Sequence, residues 1–274
     1  MSGKLYVVGT PIGNLEDMSP RAVRILGEVD FIAAEDTRVT IKLLNRFEIK
    51  KDLISYFEHN KRDKGEYIIN RLLSGESCAV VSDAGMPAIS DPGEDLVRLA
   101  HQNGIAVESV PGPSAFVTAL SIAGKPTGRF CFEGFLPVEK KARRERFEEL
   151  KGERRTMIFY EAPHKLISTL EDFYAVFGER EISLVKELTK LHETVFNTTL
   201  TKAIAHYGEN PPKGEFVIIL SGASEEKTSE NYTLEDAVDM AKKLMQNGES
   251  ASMAAKEAAN ATGIKKGEIY KALN

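Results

Sequence analysis

The chain has no tryptophan and only two cysteines, Cys78 and Cys131, in 274 residues. Each cysteine lies in an apolar, strand-like run, so neither a disulfide framework nor a cysteine metal site is expected. No apolar stretch approaches the roughly 20 residues that a membrane-spanning helix requires. The first residues pass straight into a strand-like run without the pattern of a signal peptide, so the expectation is a cytoplasmic protein with no membrane partner. Five histidines, His59, His101, His164, His192 and His206, are scattered without metal-ligand spacing, and no metal is expected. The Gly-x-Gly-x-x-Gly fingerprint, the Walker A loop, the His-Glu-x-x-His helix and the Gly-x-Ser-x-Gly elbow are all missing, which argues against a nicotinamide enzyme, a P-loop NTPase and a zinc hydrolase. A net charge of -5 argues against indiscriminate coating of nucleic acid but leaves room for a local basic face.

What the chain does have is three Gly/Pro loops, each following a short apolar run. They are Gly9-Thr10-Pro11-Ile12-Gly13-Asn14, then Ala84-Gly85-Met86-Pro87 running on to Asp91-Pro92-Gly93, and Pro111-Gly112-Pro113-Ser114-Ala115. One such loop is ordinary punctuation between a strand and a helix, and Ser19-Pro20 or Asp91-Pro92 reads equally as an N-cap with a first-turn proline. Three in the first half of one chain point to a shared ligand cleft, because crevices in open α/β sheets form where loops gather at strand C-termini.

With 42% hydrophobic residues, the chain can bury a sizeable core and is long enough for about two domains. Strand patterns at 5–9, 31–36, 53–57, 78–83 and 107–110 alternate with helical patterns at 20–26, 40–47, 64–73, 93–102 and 114–123, a βα series that predicts a mainly parallel sheet. Residues 124–128 read as a linker. A second α/β unit follows, with strands at 130–136, 156–160, 181–187, 193–198 and 215–220 and helices at 142–150, 164–177 and 201–207. The third and fourth of these strands are joined by too few residues for a helical crossover, which predicts antiparallel pairing. A second linker is expected at 223–231, and the remainder is helical, either a helix-turn-helix or a small helical cap. The expected division is 1–123, 129–222 and 232–274.

Five blocks in order carry a resemblance: residues 7–14, Ala33-Ala34-Glu35-Asp36-Thr37-Arg38, residues 82–93, residues 110–115 and Phe159-Tyr160-Glu161-Ala162-Pro163-His164. They resemble the signature blocks of the tetrapyrrole-methylase superfamily, and more narrowly its ribosomal branch, the 16S rRNA cytidine 2'-O-methyltransferases. The similarity spans about residues 4–222, and the helical tail is also like that branch's extension. The resemblance implies an α/β fold of two tetrapyrrole-methylase-type domains, with S-adenosylmethionine in the cleft between them and a small C-terminal helical extension. It also implies a homodimer acting on 16S rRNA or the small ribosomal subunit. Position by position, it implies cofactor contacts from Pro11, Ile12, Asp83, Ala84, Gly85, Ala88, Ser114 and Ala115, and from Tyr160, Glu161, Leu188, Gly214 and Glu215. The chain departs from the tetrapyrrole branch at Asp83-Ala84-Gly85-Met86, where Asp83 stands in place of a usual glycine.

Methyl transfer from a sulfonium is an in-line displacement, governed largely by alignment. A ribose hydroxyl is a weak acid, so its attack calls for a base or orienting groups. Glu35, Asp36 and Arg38 end a strand and are the catalytic candidates, the carboxylates as proton acceptors and the arginine as a phosphate holder; the same residues also suit an N-cap and ion pair. Asp36 ranks above His59, which sits in a polar loop with Asn60, Lys61 and Arg62. The RNA-binding candidates are Lys61 and Arg62 together with the run Lys140, Lys141, Arg143, Arg144 and Arg146, which reads equally as a solvated helix flank with pairs such as Lys141 to Glu145. Two other functions stay open on the residues, a methylase of a tetrapyrrole precursor and a non-catalytic RNA or ribosome-assembly binder.

Overall fold

The computed structural model describes residues 2–223 and 232–273. The linker expected at 223–231 lies outside the described residues except for Ala223, as does Asn274 at the end of the helical extension. The chain divides into two compact units, Met1–Ala223 and Ser224–Asn274.

The first unit contains two five-stranded sheets. In the first, β1 (Lys4–Val8), β2 (Phe31–Ala34), β3 (Asp52–Ser55), β4 (Cys78–Val81) and β5 (Ala106–Val110) are all parallel in the order β3-β2-β4-β1-β5. The strands alternate with α1 (Pro20–Glu28), α2 (Thr37–Arg46), α3 (Lys61–Leu73) and α4 (Gly93–Gln102), and α5 (Ala115–Ile122) follows β5. Every residue of β2 and β4 is buried, as expected of central parallel strands with both faces covered. One face packs on α3 and α4 through Ile68, Leu72, Leu96 and Ala100, the other on α1 and α2 through Ile25, Leu26 and Leu44.

Two helices begin three residues earlier than their apolar periodicity indicates. Asp36 accepts a hydrogen bond from the Arg38 N–H and so starts α2 at Thr37, ending β2 at Ala34. Lys61 and Arg62, read from sequence as loop residues, open the first turn of α3. Polar first-turn residues carry no apolar signal, which is why pattern alone places these starts late.

The second sheet is mixed. β6 (Phe130–Phe135) pairs parallel with β7 (Thr156–Glu161), and β10 (Phe216–Leu220) pairs antiparallel with β7 and with β8 (Glu181–Lys186). β9 (Thr194–Thr199) forms an antiparallel hairpin with β8, as the short connection predicts. One face of this sheet is covered by α6 (Lys140–Leu150), α7 (Leu166–Phe177) and α8 (Leu200–Glu209), through Phe147, Phe173 and Tyr207 among others. The opposite face packs on α5, where Ala119, Leu120 and Ala123 meet Ile158, Val185, Val217 and Ile219. A helix that follows the first sheet thus shares a core with the second and fixes the two sheets against each other.

The second unit is three helices, α9 (Leu234–Gln246), α10 (Ala251–Thr262) and α11 (Lys266–Leu273), around Ala237, Ala241, Ala254, Ala258 and Ile269. Thr233 and Asp236 form a reciprocal capping box at the start of α9, and Gly263 ends α10 in a left-handed conformation. Among the described residues, no helix is long and apolar enough to cross a membrane.

Candidate active site

The three Gly/Pro loops meet at the C-terminal edge of the first sheet. Thr10 N donates to Gly85 O at 2.9 Å and Gly85 N returns a bond to Thr10 O at 3.2 Å, which ties the first loop to the second. The first and third loops touch backbone to backbone. A Cβ on Gly9 would stand 2.7 Å from Gly112 Cα, and one on Gly112 would stand 2.8 Å from Gly9 Cα, so neither position has room for a side chain. Gly112 N also lies 3.2 Å from Met86 Sδ. Between these loops and the second sheet is a cleft of about 550 Å³, within the size range of small-molecule sites. A wider groove of about 1180 Å³ borders Arg129 and Arg155 at the other end of the second sheet, but it is more open and none of the Gly/Pro loops lines it.

The second loop is held in a strained shape. Ala88 and Ser90 both have φ of 65°, a left-handed conformation that costs on the order of 1–3 kcal/mol at a non-glycine residue and concentrates at ligand sites. Asp91 Oδ1 clamps this segment by accepting from Ala88 N at 2.9 Å and Gly93 N at 2.8 Å. Burial holds the Asp91 carboxyl above its usual range.

The acidic pair after β2 divides. Glu35 is half-buried and lines the cleft; burial, followed by the negative charge of Asp83, raises its carboxyl above the usual range, while the Asp83 backbone N–H opposes the shift. Asp36 is engaged elsewhere. The Arg38 guanidinium donates to it at 2.6 and 3.0 Å and the Arg38 N–H at 2.8 Å, and these bonds bring its carboxyl down to about 2. Asp36 N in turn donates to Asp83 Oδ1 at 3.0 Å, so Asp83 links the β2 and β4 loops.

The second sheet supplies the opposite wall. The Tyr160 hydroxyl accepts from Phe116 N at 3.2 Å, which anchors the ring to the start of α5. Glu161 is buried; one carboxylate oxygen accepts from Ala162 N at 2.9 Å, the other from the Thr169 hydroxyl at 2.6 Å. Arg143 reaches that hydroxyl from α6 at 2.9 Å and donates to Asp172 at 2.9 Å. Leu188, Val185 and Val217 give an apolar floor. Beside them Glu187 accepts from Glu215 N at 3.0 Å, and Lys190 bridges Glu187 and Glu215 at 3.1 and 2.8 Å.

Of the cofactor residues anticipated from sequence, Ile12, Asp83, Ala84, Gly85, Ser114, Ala115, Tyr160, Glu161, Leu188 and Glu215 line this one cleft. Pro11, Ala88 and Gly214 are not among its lining residues but adjoin residues or loops that are. Sequence reasoning did not single out Phe116, Phe135, Val185 and Val217, which also line it, because apolar residues in strands and helices carry no polar signal; Ile89 of the second loop lines it as well. The basic run on α6 is divided by its packing. Arg143 is turned onto α7 and Arg146 pairs with Glu133 and Glu149, whereas Lys140, Lys141 and Arg144 face solvent, Lys141 with Glu145 3.9 Å away. Lys61 is held by Glu58 and Asp95 at 2.7 and 2.8 Å, and Arg62 is exposed. Among the described residues, no group of three or more histidine, cysteine, aspartate or glutamate side chains is placed to hold a metal ion.

A parallel sheet whose glycine-rich loops face a second, mixed sheet across a cleft, each sheet flanked by helices on both faces, defines a two-sheet class of α/β protein. Residues 4–204 match the family of Tetrapyrrole (Corrin/Porphyrin) Methylases, and the chain belongs to this family. It is 47% identical, over 98% of its length and 93% of the relative's, to a protein of Halalkalibacterium halodurans named ribosomal RNA small subunit methyltransferase I. A Thermotoga maritima relative of the same name is 48% identical, with 80% of this chain spanning 99% of that protein. Among solved structures, uroporphyrin-III C-methyl transferase from Thermus thermophilus, complexed with S-adenyl homocysteine, is similar in fold with a TM-score of 0.56 at 17% identity, over 80% of this chain and 97% of that one.

Proposed function

We propose that this S-adenosylmethionine-dependent methyltransferase methylates the 2'-hydroxyl of a cytidine ribose in the decoding region of 16S rRNA, as a cytoplasmic homodimer. The observation that carries the reading is the near-full-length identity to proteins named as small-subunit rRNA methyltransferases. In this reading residues 1–123 and 129–222 form the two walls of the cleft, and 232–274 is an accessory helical extension. Val117 and Ile122, apolar and exposed on α5, suit a surface that a second copy covers.

The cleft fits the cofactor in two respects. The Gly9–Gly112 backbone contact draws the first and third loops together so that Ile12, Ser114 and Ala115 line one wall, and the floor at Leu188 and Val217 is apolar. Pro11, Ile12, Asp83, Ala84, Gly85, Ala88, Ser114 and Ala115 would hold it from one side, and Tyr160, Glu161, Leu188, Gly214 and Glu215 from the other. When bound, S-adenosylmethionine supplies an electrophilic methyl group on a sulfonium. The Glu35 carboxylate accepts the proton of the ribose hydroxyl; Asp91, the other cleft carboxylate that burial raises, is already committed to the Ala88 and Gly93 N–H groups, while Asp36 fixes the loop and Arg38 is left at the surface to meet a phosphate. Lys140, Lys141, Arg144 and Arg62 are the exposed cations that would contact the RNA backbone.

The test is transfer of radiolabelled methyl to undermethylated small subunits, naked 16S rRNA and a tetrapyrrole precursor in parallel. Label resistant to alkaline cleavage at one cytidine is the expected result, and label on the tetrapyrrole alone overturns the choice of acceptor. Reversing charge at Lys140 and Arg144 together is expected to weaken RNA binding about tenfold at low salt and to flatten its salt dependence, with S-adenosylmethionine affinity unchanged by calorimetry.

A further inference from the structure

The cleft has one aromatic wall residue that the folded chain leaves uncovered. Phe135 ends β6, lines the cleft and is 64% exposed, although it belongs to a strand of a well-packed sheet. Its position depends on an irregularity. β6 pairs in register with β7 as far as Phe132 opposite Ile158, then slips by one residue so that Gly134 faces Phe159 and Phe135 faces Tyr160. Side chains alternate between sheet faces, so in a regular strand Phe135 would share the face of Cys131, which packs against the core beneath α6 to α8. The extra residue reverses this and brings Phe135 to the face of Phe132 and Tyr160, its ring centroid 5.4 Å from that of Tyr160. The slip uses Gly134 at φ 62°, where an added Cβ would also stand 3.3 Å from Ser90 Oγ.

An aromatic ring re-aimed by a bulge, backed by an anchored tyrosine and left open at the rim of the cleft is a platform for another flat ring. The inner surfaces, Leu188 and Val217, are buried in the chain itself, whereas Phe135 faces whatever arrives last and from solvent. On the reading of ribose methylation given above, the acceptor nucleotide must present its sugar to Glu35 on the opposite wall of the same cleft. A nucleotide drawn into the cleft to reach that wall loses its stacked neighbours and needs a replacement surface for its base. We propose that Phe135 stacks on the base of the acceptor nucleotide and so positions its ribose.

Four variants, Phe135→Ala, Phe135→Leu, Phe135→Tyr and Phe135→Trp, are compared with the unmodified enzyme in methyl transfer to undermethylated small subunits and in S-adenosylmethionine calorimetry. Alanine and leucine are expected to lower kcat/KM for the subunit by about 5- to 100-fold, the range of one base–aromatic stack. Tyrosine and tryptophan are expected to restore it to within about threefold, and cofactor Kd to stay within about twofold throughout. A parallel loss of cofactor affinity would assign the ring to the cofactor's adenine instead. Leucine performing as well as tyrosine would reduce the role to packing, and alanine without effect would remove it; each result overturns the proposal. If the unmodified enzyme labels no RNA while still binding cofactor, the acceptor reading itself fails, an outcome distinct from a loss confined to the variants.

Discussion

Gly112→Ala is expected to weaken S-adenosylmethionine binding by about 10- to 100-fold, read by calorimetry, and to lower methyl transfer by roughly 10²-fold. The cause is geometric. The new methyl group would stand 2.8 Å from Gly9 Cα and 2.9 Å from Gly9 C, and backbone atoms cannot rotate away as the tip of a flexible side chain can. The loops must therefore part. Overpacking of a tight contact costs about 1–3 kcal/mol, and displacing reacting groups by about 1 Å is enough for a loss near 10²-fold. Gly9→Ala, which meets Gly112 Cα and N at 2.7 Å from the other side, should have a matching effect. Gly27→Ala provides the control. Gly27 lies in α1 with nothing within 4 Å of an added Cβ, so this change should leave binding intact and raise stability by about 1 kcal/mol through helix propensity. If Gly112→Ala binds cofactor as the unmodified protein does, the first and third loops do not form the cofactor cradle.

These loops are legible in the sequence because glycine and proline punctuate the chain where strands end. The buried strands β2, β4 and β10 were legible for a related reason, since each is a short run buried along its whole length. Other features were hidden by the rules that pattern reading uses. Period-two alternation assigns Phe135 to the wrong face, because a one-residue slip leaves no mark in composition. Arg143 reads as one more cation in a basic run, yet it is turned onto Thr169 and Asp172, a choice made by α7 and not by its neighbours in sequence. Glu35 and Asp36 look interchangeable side by side. Only the fold separates them, giving one a half-buried place in the cleft and the other an arginine.

That separation carries the second large effect. Glu35→Gln is expected to lower kcat by about 10²- to 10⁴-fold, the usual contribution of a positioned base, with cofactor Kd unchanged. Glutamine keeps the shape and most of the polarity but cannot take a proton. The pH dependence gives an independent readout. The base works only when ionised, and burial with the Asp83 charge places its carboxyl above the ordinary value of 4.5. As pH falls through that raised value the carboxylate is protonated, so kcat/KM should decline along an acid limb with an apparent pKa above 4.5. The limb should be absent from the residual activity of Glu35→Gln. Asp36 predicts the opposite pattern. With its carboxyl near 2 it is the weaker base and stays ionised across the working range. Asp36→Asn should therefore leave the limb in place and, because asparagine caps a helix start about as well as aspartate, leave the thermal denaturation midpoint nearly unchanged. If Asp36→Asn removes the limb while Glu35→Gln retains activity within threefold, the two roles are exchanged, and the proton leaves along the Asp36 and Arg38 side of the loop.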